Sequence, residues 1–328
     1  MHIKIMSSLA KSDFFDAYFQ SLEQRGIQYV ILHSYNAYPS RIQSDIDFCV
    51  SDTSLMDVVT SLSAFCRKNG WRLIQVMQHE VKAFFCVCVC RTNPADFLQL
   101  DVCSHYMRQG KLLLEDYKIL DGANTFKDRK FRVPIRQAEL CYIFWKAAAK
   151  AKSYQSIEPR VLELLESGQA DNHEEEINEL ARVLGLDGQY ASGAALLADL
   201  SKKYQKLPVL TRAGQLSKFL RRLRYPTGCF CILKNEVTAE QCSEALRQLS
   251  ACAFRRYGRI QKPKLAGYKR IVSSTLLLGS IESGLLLRAA NKFLQCEFIL
   301  DATDDTGVIK QLHEGLEKRV ASQWAPQS

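Results

Sequence analysis

Positions 45–50 read Asp45-Ile46-Asp47-Phe48-Cys49-Val50, two carboxylates alternating with apolar residues. A period of two is a strand signal, because residues i and i+2 of a strand share a face. Asp45 and Asp47 are therefore predicted side by side, with Ile46 and Phe48 turned the other way into a core. Two adjacent carboxylates repel, so one must take up a proton or the pair must share a cation. Carboxylate oxygens suit Mg²⁺ or Mn²⁺. A metal held there could grip the phosphates of a nucleotide.

The flanking segments supply the rest of a small sheet. After a candidate cap at Ser12, Phe14, Phe15, Tyr18, Phe19 and Leu22 recur at helical spacing, and Gly26 stops the helix. Residues 27–33 read as a buried strand and residues 35–44 as a loop. An amphipathic helix is predicted over 55–68, then strands over 72–77, 82–90 and 97–103. The last two are joined by the turn signal Arg91-Thr92-Asn93-Pro94. Asp101 lies in the last strand, again an acid between apolar residues. Three carboxylates on neighbouring strands of one sheet are placed to converge on a single point.

Beyond residue 134 the signals turn helical, with helices predicted over 138–152, 159–167, 174–184, 192–204 and 212–223. Pro226-Thr227-Gly228 marks a boundary. A strand over 229–233, a helix over 239–254 and a strand over 297–300 then suggest a small α/β unit. The expected fold class is α/β: a mixed sheet with helices over 1–131, a helical region over 132–224, and the small unit over 225–328. A length of 328 residues accommodates these parts.

No apolar run approaches the roughly 18 residues of a membrane span, and residues 1–14 lack the apolar stretch of a secretory signal. The twelve cysteines show no Cys-x-x-Cys spacing, and no histidine lies at zinc-ligand spacing from them. Cys86, Cys88 and Cys90 alternate along one strand, as do Cys229 and Cys231, where i, i+2 neighbours are poorly placed to bridge. They read as small buried side chains in a reducing, cytoplasmic compartment. The net charge of +9 is uneven: residues 201–270 hold 17 Lys/Arg against 3 Asp/Glu. Such a segment points to an anionic partner, whether a phosphorylated molecule, nucleic acid or an anionic membrane surface, or else to a solvated helix face. His79 and His105 read as ordinary polar residues rather than bases, and Lys146 and Lys150, one helical turn apart, as surface lysines ahead of phosphate contacts.

The first 105 residues resemble the nucleotidyltransferase superfamily that includes DNA polymerase β. The matching pieces are Leu32-His33-Ser34, then Asp45-Ile46-Asp47, then Asp101. The resemblance implies that Asp45 and Asp47 bind the metals carried with a nucleoside triphosphate. Asp101 would complete a second metal site and help deprotonate the attacking hydroxyl, in two-metal in-line displacement. It implies a phosphate contact at Ser34. In the loop before the acids, Arg41 could grip a triphosphate or equally be solvated, and Ser44 is a further candidate nucleotide contact. One departure is His33, where the family has a glycine that lets the backbone approach the phosphates. A subset associated with bacterial surface-polysaccharide gene clusters also lacks that glycine. Its loop is similar to Ser34-Tyr35-Asn36 and Ser44-Asp45-Ile46-Asp47, and a helical middle and a thymidylate-kinase-like region follow. Here Lys234 to Thr238 carries no phosphate-binding glycine, and Ala302 stands where that kinase has arginine, so the last unit resembles a degenerate, truncated kinase.

The expected activity is metal-dependent nucleotidyl transfer to a hydroxyl acceptor, which the resemblance suggests is a sugar in surface-polysaccharide synthesis. Two alternatives stay open. One is an inactive binding protein of this fold that docks an anionic partner through residues 201–270. The other is a glycosyltransferase holding a metal–nucleotide-sugar through its Asp-x-Asp.

Overall fold

The computed structural model describes residues 10–33, 35–42, 45–126, 130–165, 173–209, 227–233, 256–259, 275–279, 297–301 and 305–324, with single positions at 214, 216, 217, 220, 221 and 246. The chain is mixed α/β. Its first part runs α1 (Lys11–Gln24), β1 (Tyr29–Ile31), β2 (Ile46–Val50), α2 (Leu55–Lys68), β3 (Trp71–Glu80), β4 (Ala83–Cys90) and β5 (Phe97–Cys103). This is the element order expected from periodicity. The five strands form one mixed sheet in the order β1-β2-β5-β4-β3. All pairs are antiparallel except β2 with β5, which run parallel.

Helices α1 and α2 cover one face of this sheet. Phe14, Phe15, Tyr18, Phe19 and Leu22 of α1 are buried with Val58, Val59, Leu62 and Cys66 of α2. Ile46 and Phe48 enter the same core, each fully buried, so the apolar half of the β2 alternation faces as the sequence predicts. Gly26 and Gly70 follow α1 and α2 with φ of +69° and +75°, a conformation open to glycine at little cost. Ser12 is not a cap: α1 starts one residue earlier, from Ala10, with no side-chain capping bond.

A hairpin of β6 (Tyr106–Arg108) and β7 (Lys111–Leu114), the short helix α3 (Asp116–Leu120) and a small pair of β8 (Asn124–Thr125) and β9 (Arg132–Val133) follow. Next come α4 (Arg136–Ala149), α5 (Glu158–Leu165), α6 (His173–Val183) and α7 (Gly193–Lys206). Ser192 caps α7, accepting a hydrogen bond from the Ala195 N–H. These helices share a second core with Val30, Leu32, Cys49 and Cys103 on the opposite face of the sheet. α4 lies in its middle and is buried nearly all round, with Leu140, Tyr142, Phe144, Ala147 and Ala148 all covered. It ends at Ala149 rather than Lys152, and Ala151 beyond it takes φ +51°.

The last part holds β10 (Cys229–Leu233), β11 (Arg256–Arg259), β12 (Thr275–Gly279), β13 (Glu297–Leu300) and α8 (Asp305–Trp324). The four strands are all parallel, in the order β11-β12-β10-β13. Only β10 and β13 were expected from sequence. The helices predicted over 212–223 and 239–254, and most of the basic segment 201–270, lie outside the described residues. α8 ties this unit to the first sheet. Leu312 and Leu316 pack with Ile74, Val87 and Val89, while Val320 and Trp324 enter the core under α1 and α2. Arg72 of β3 donates to Glu314 and Glu317 of α8, each at 3.2 Å, and the buried Gln75 amide donates to the Thr227 carbonyl at 2.7 Å. No described helix is long and apolar enough to cross a membrane.

Candidate functional site

Strand register assembles the site. β2 and β5 are parallel with Asp47 directly opposite Asp101, and Asp45 precedes Asp47 by one strand repeat on the same face. The result is a cluster in which one carboxylate oxygen from each of Asp45, Asp47 and Asp101 lies within 4.8 Å of the others. All three carboxylates are half-buried. Three oxygens this close form a hard donor set that could hold a metal ion.

The three acids have unequal surroundings. Asp47 Oδ2 accepts from Lys146 Nζ at 2.8 Å and from the imidazole Nε2 of His33, with the Tyr142 hydroxyl 3.5 Å away. Burial alone would raise the pKa of Asp47. The His33 hydrogen bond and the Lys146 charge outweigh it and hold the carboxyl well below the usual range. Asp45 is shifted upward, first by burial and then by the charges of Asp47 and Asp101. Asp101 Oδ1 pairs with His79 Nε2 at 2.7 Å.

Each of these partners has a structural origin. Lys146 and Tyr142 lie four residues apart on α4, so one helix face delivers both. The Tyr142 ring stacks on His33, centroids 5.8 Å apart, and Lys146 Nζ sits 5.2 Å from the Tyr142 ring centroid. His79 reaches Asp101 because the β3–β4 register slips at that point. Gln78 pairs with Phe84 and Glu80 with Ala83, leaving His79 as an extra residue. Such bulges re-aim a side chain. α4 is anchored by its own buried acid: Glu139 accepts from the Arg160 guanidinium of α5 at 2.6 Å and from the Tyr35 hydroxyl.

The triad lines a cavity of about 140 Å³. Arg108 of the β6–β7 hairpin and Lys150, just after α4, line the same cavity. Among the described residues neither forms an ion pair with a carboxylate. Burial, and then the charge of Lys146, push the Lys150 amine downward against the opposing pull of Asp47. A second cavity of about 330 Å³ adjoins the first, with His33, Tyr142 and Lys146 common to both. Its walls combine Ile143, Ala147 and Ile157 with the polar groups of Asn36, Ser156 and Arg160.

Of the residues singled out from sequence, Asp45, Asp47 and Asp101 are brought together. Ser34 and Ser44 lie outside the described residues. Arg41 is exposed, its N–H bonded to the Ala37 carbonyl at 2.9 Å, and it does not line the triad's cavity. Two readings are corrected. Lys146 is not a surface lysine but the ion-pair partner of Asp47, and His79 is not a bystander but the partner of Asp101. His105 also lines the cavity, where its Nδ1 accepts from the Asp116 N–H at 3.0 Å. A helical period from Tyr142 to Lys146 was legible in the sequence. Which of α4's buried faces meets the sheet was not.

No family model matches this chain, and neither a curated protein nor a solved structure matches it.

Proposed function

We propose that the chain is a metal-dependent nucleotidyltransferase, taking a nucleotidyl group from a nucleoside triphosphate to a hydroxyl acceptor such as a sugar. The supporting observation is a single cavity with three converging carboxylates and two cations, Arg108 and Lys150, that no described carboxylate pairs. Acids for a divalent cation and bases for phosphate oxygens, in one small space, match the chemistry of a metal–polyphosphate. Mg²⁺ or Mn²⁺ bound by the triad would polarise the α-phosphate and help carry the charge of the leaving pyrophosphate.

The chain's own residues do the rest. The acceptor oxygen bonds to the α-phosphorus as the bond to pyrophosphate breaks. Asp101, held at one oxygen by His79, would turn one lone pair of its other oxygen to the cation and the second to the proton of the acceptor hydroxyl. Arg108 and Lys150 draw the polyphosphate in and hold it in line. The adjoining cavity, apolar on one side and polar on the other, suits the flat base and ribose of a nucleotide, with Asn36 and Ser156 as hydrogen-bonding groups. The polymerase-β-type fold, the surface-polysaccharide setting and the kinase-like last unit belong to this proposal. So does a cytoplasmic location.

One observation favours the inactive alternative: Lys146 and His33 already compensate Asp47. The test is to incubate the protein with each nucleoside triphosphate, Mg²⁺ and a panel of sugars and sugar phosphates, following pyrophosphate release. Release that vanishes in Asp45→Asn and Asp101→Asn supports the proposal. If neither metal nor any nucleotide shifts the melting temperature of the wild type at neutral pH, the enzyme reading fails and the binding-protein reading stands.

A further inference from the structure

Asp47 sits between the other two acids and would have to serve both ions of a two-metal centre. In such a centre two divalent ions stand ~3.5–4 Å apart and share a bridging carboxylate. Here one oxygen of that carboxylate is already committed. Lys146 Nζ donates to Oδ2 at 2.8 Å, and His33 Nε2 donates to the same oxygen. The Tyr142 hydroxyl stands 3.5 Å from Oδ2 as well. The ammonium is not a loose surface group. It is four-fifths covered, on a helix fixed by the buried Glu139–Arg160–Tyr35 network, and it lies against the Tyr142 ring.

On the remaining side the donors are open. No described residue donates to Asp47 Oδ1 or to Asp101 Oδ2, and an oxygen of Asp45 lies within 4.8 Å of the other two carboxylates. One ion held by Asp45, Asp101 and Oδ1 of Asp47 satisfies all three acids. A second ion on the Oδ2 side would stand against the Lys146 ammonium in a half-buried site, where like charges repel with little screening.

We infer that this centre takes a single divalent cation and that Lys146, steadied by His33, occupies the place of a second. This rests on the proposed metal-dependent reading and sharpens it. His33 also acquires a role: it fills the space that a glycine would leave to a second ion and its phosphates, and it packs the lysine onto Asp47.

Mn²⁺ is the probe, because two Mn²⁺ at that spacing couple magnetically and a lone ion does not. The full-length protein is loaded with Mn²⁺ and inorganic tripolyphosphate, the moiety common to all nucleoside triphosphates, and its electron paramagnetic resonance spectrum is recorded. The wild type is expected to show bound, uncoupled Mn²⁺, about one per chain. Lys146→Gln, its fold checked by circular dichroism, is expected to gain the coupled-pair signal. If that variant fails to fold, Lys146→Met takes its place. A coupled pair in the wild type overturns this inference while leaving the nucleotidyltransferase reading intact. An uncoupled ion in both proteins also overturns it, since removing the ammonium would then open nothing. Wild type that binds no Mn²⁺ overturns the metal-dependent reading itself, and this inference with it.

Discussion

Asp45 and Asp47 are chemically identical and two positions apart, yet their environments push them in opposite directions. Asp47 is held ionised by Lys146 and His33, whereas Asp45 is pushed upward by burial and by the charges of Asp47 and Asp101, which outweigh the opposing charge of Lys146. Substitution should separate them. Asp47→Asn strands a half-buried ammonium and is expected to cost about 2–4 kcal/mol in urea denaturation. Asp45→Asn relieves repulsion and should leave the metal-free protein slightly more stable, by under ~1 kcal/mol. The pH dependence follows from the same shifts. A depressed carboxyl stabilises the fold above its unfolded pKa, and that contribution is lost as pH falls through its folded pKa. A raised carboxyl costs stability as pH rises from its unfolded value through its folded one. The advantage of Asp45→Asn over wild type should therefore vanish below about pH 4 and grow toward neutrality. An advantage that persists undiminished in acid would mean that Asp45 is not the strained acid. The alternation that predicted two acids on one face was plain in the sequence. Their inequality was not, because both partners of Asp47 come from elsewhere, His33 from 14 and Lys146 from 99 residues away.

At the scale of elements, the site is a product of register. β2 could be read from its own residues, since Ile46 and Phe48 had to be buried for Asp45 and Asp47 to emerge together. Asp101 was legible as an acid on a strand. Its place opposite Asp47 depends on β5 running parallel to β2, which no local signal announces. The bulge at His79 was hidden for a similar reason: a one-residue slip shows no change in composition. It nevertheless places the imidazole that orients Asp101. His79→Ala should leave the sheet intact and loosen that carboxylate, lowering metal affinity about 10-fold, as removal of such outer partners does elsewhere. Calorimetric titration with Mn²⁺ would measure it, and unchanged affinity would reduce His79 to a packing residue. α4 is the other hidden element. Its alanine-rich sequence is buried almost all round, so no polar stripe told which face carried function. Glu139→Leu would remove the acid that Arg160 and Tyr35 bind. It should cost about 1–3 kcal/mol by removing the buried acid and leaving Arg160 only the exposed Glu163, and it should lower metal affinity in parallel because α4 also carries Lys146.

Pro226-Thr227-Gly228 marks a boundary in the sequence, and β10 of a second, parallel sheet begins at Cys229. α8 shows that this sheet is not an independent appendage. Leu312 and Leu316 complete a core shared with Ile74, Val87 and Val89, while Val320 and Trp324 fill a gap beneath the first sheet, where the Trp324 ring meets Phe84 edge-on at 5.5 Å. β3 would otherwise be an exposed edge strand, and its almost continuous burial makes sense only with α8 lying across it. The two parts should therefore unfold together. Calorimetry of the full chain is expected to give one cooperative transition, with the C-terminal sheet and the triad domain melting in register. Arg72→Ala, which leaves Glu314 and Glu317 without their shared partner, is the gentle probe of this coupling. It removes two 3.2 Å hydrogen bonds from a buried guanidinium and should lower stability by about 1–3 kcal/mol without splitting the transition. Trp324→Ala is the severe one, since it opens a void in the core under α1 and α2 and should cost about 3–5 kcal/mol. If either variant, or the wild type, melts in two well-separated steps, α8 is a passive cover. If all melt in one, α8 is part of what holds β2 and β5 in the register that brings Asp47 to Asp101.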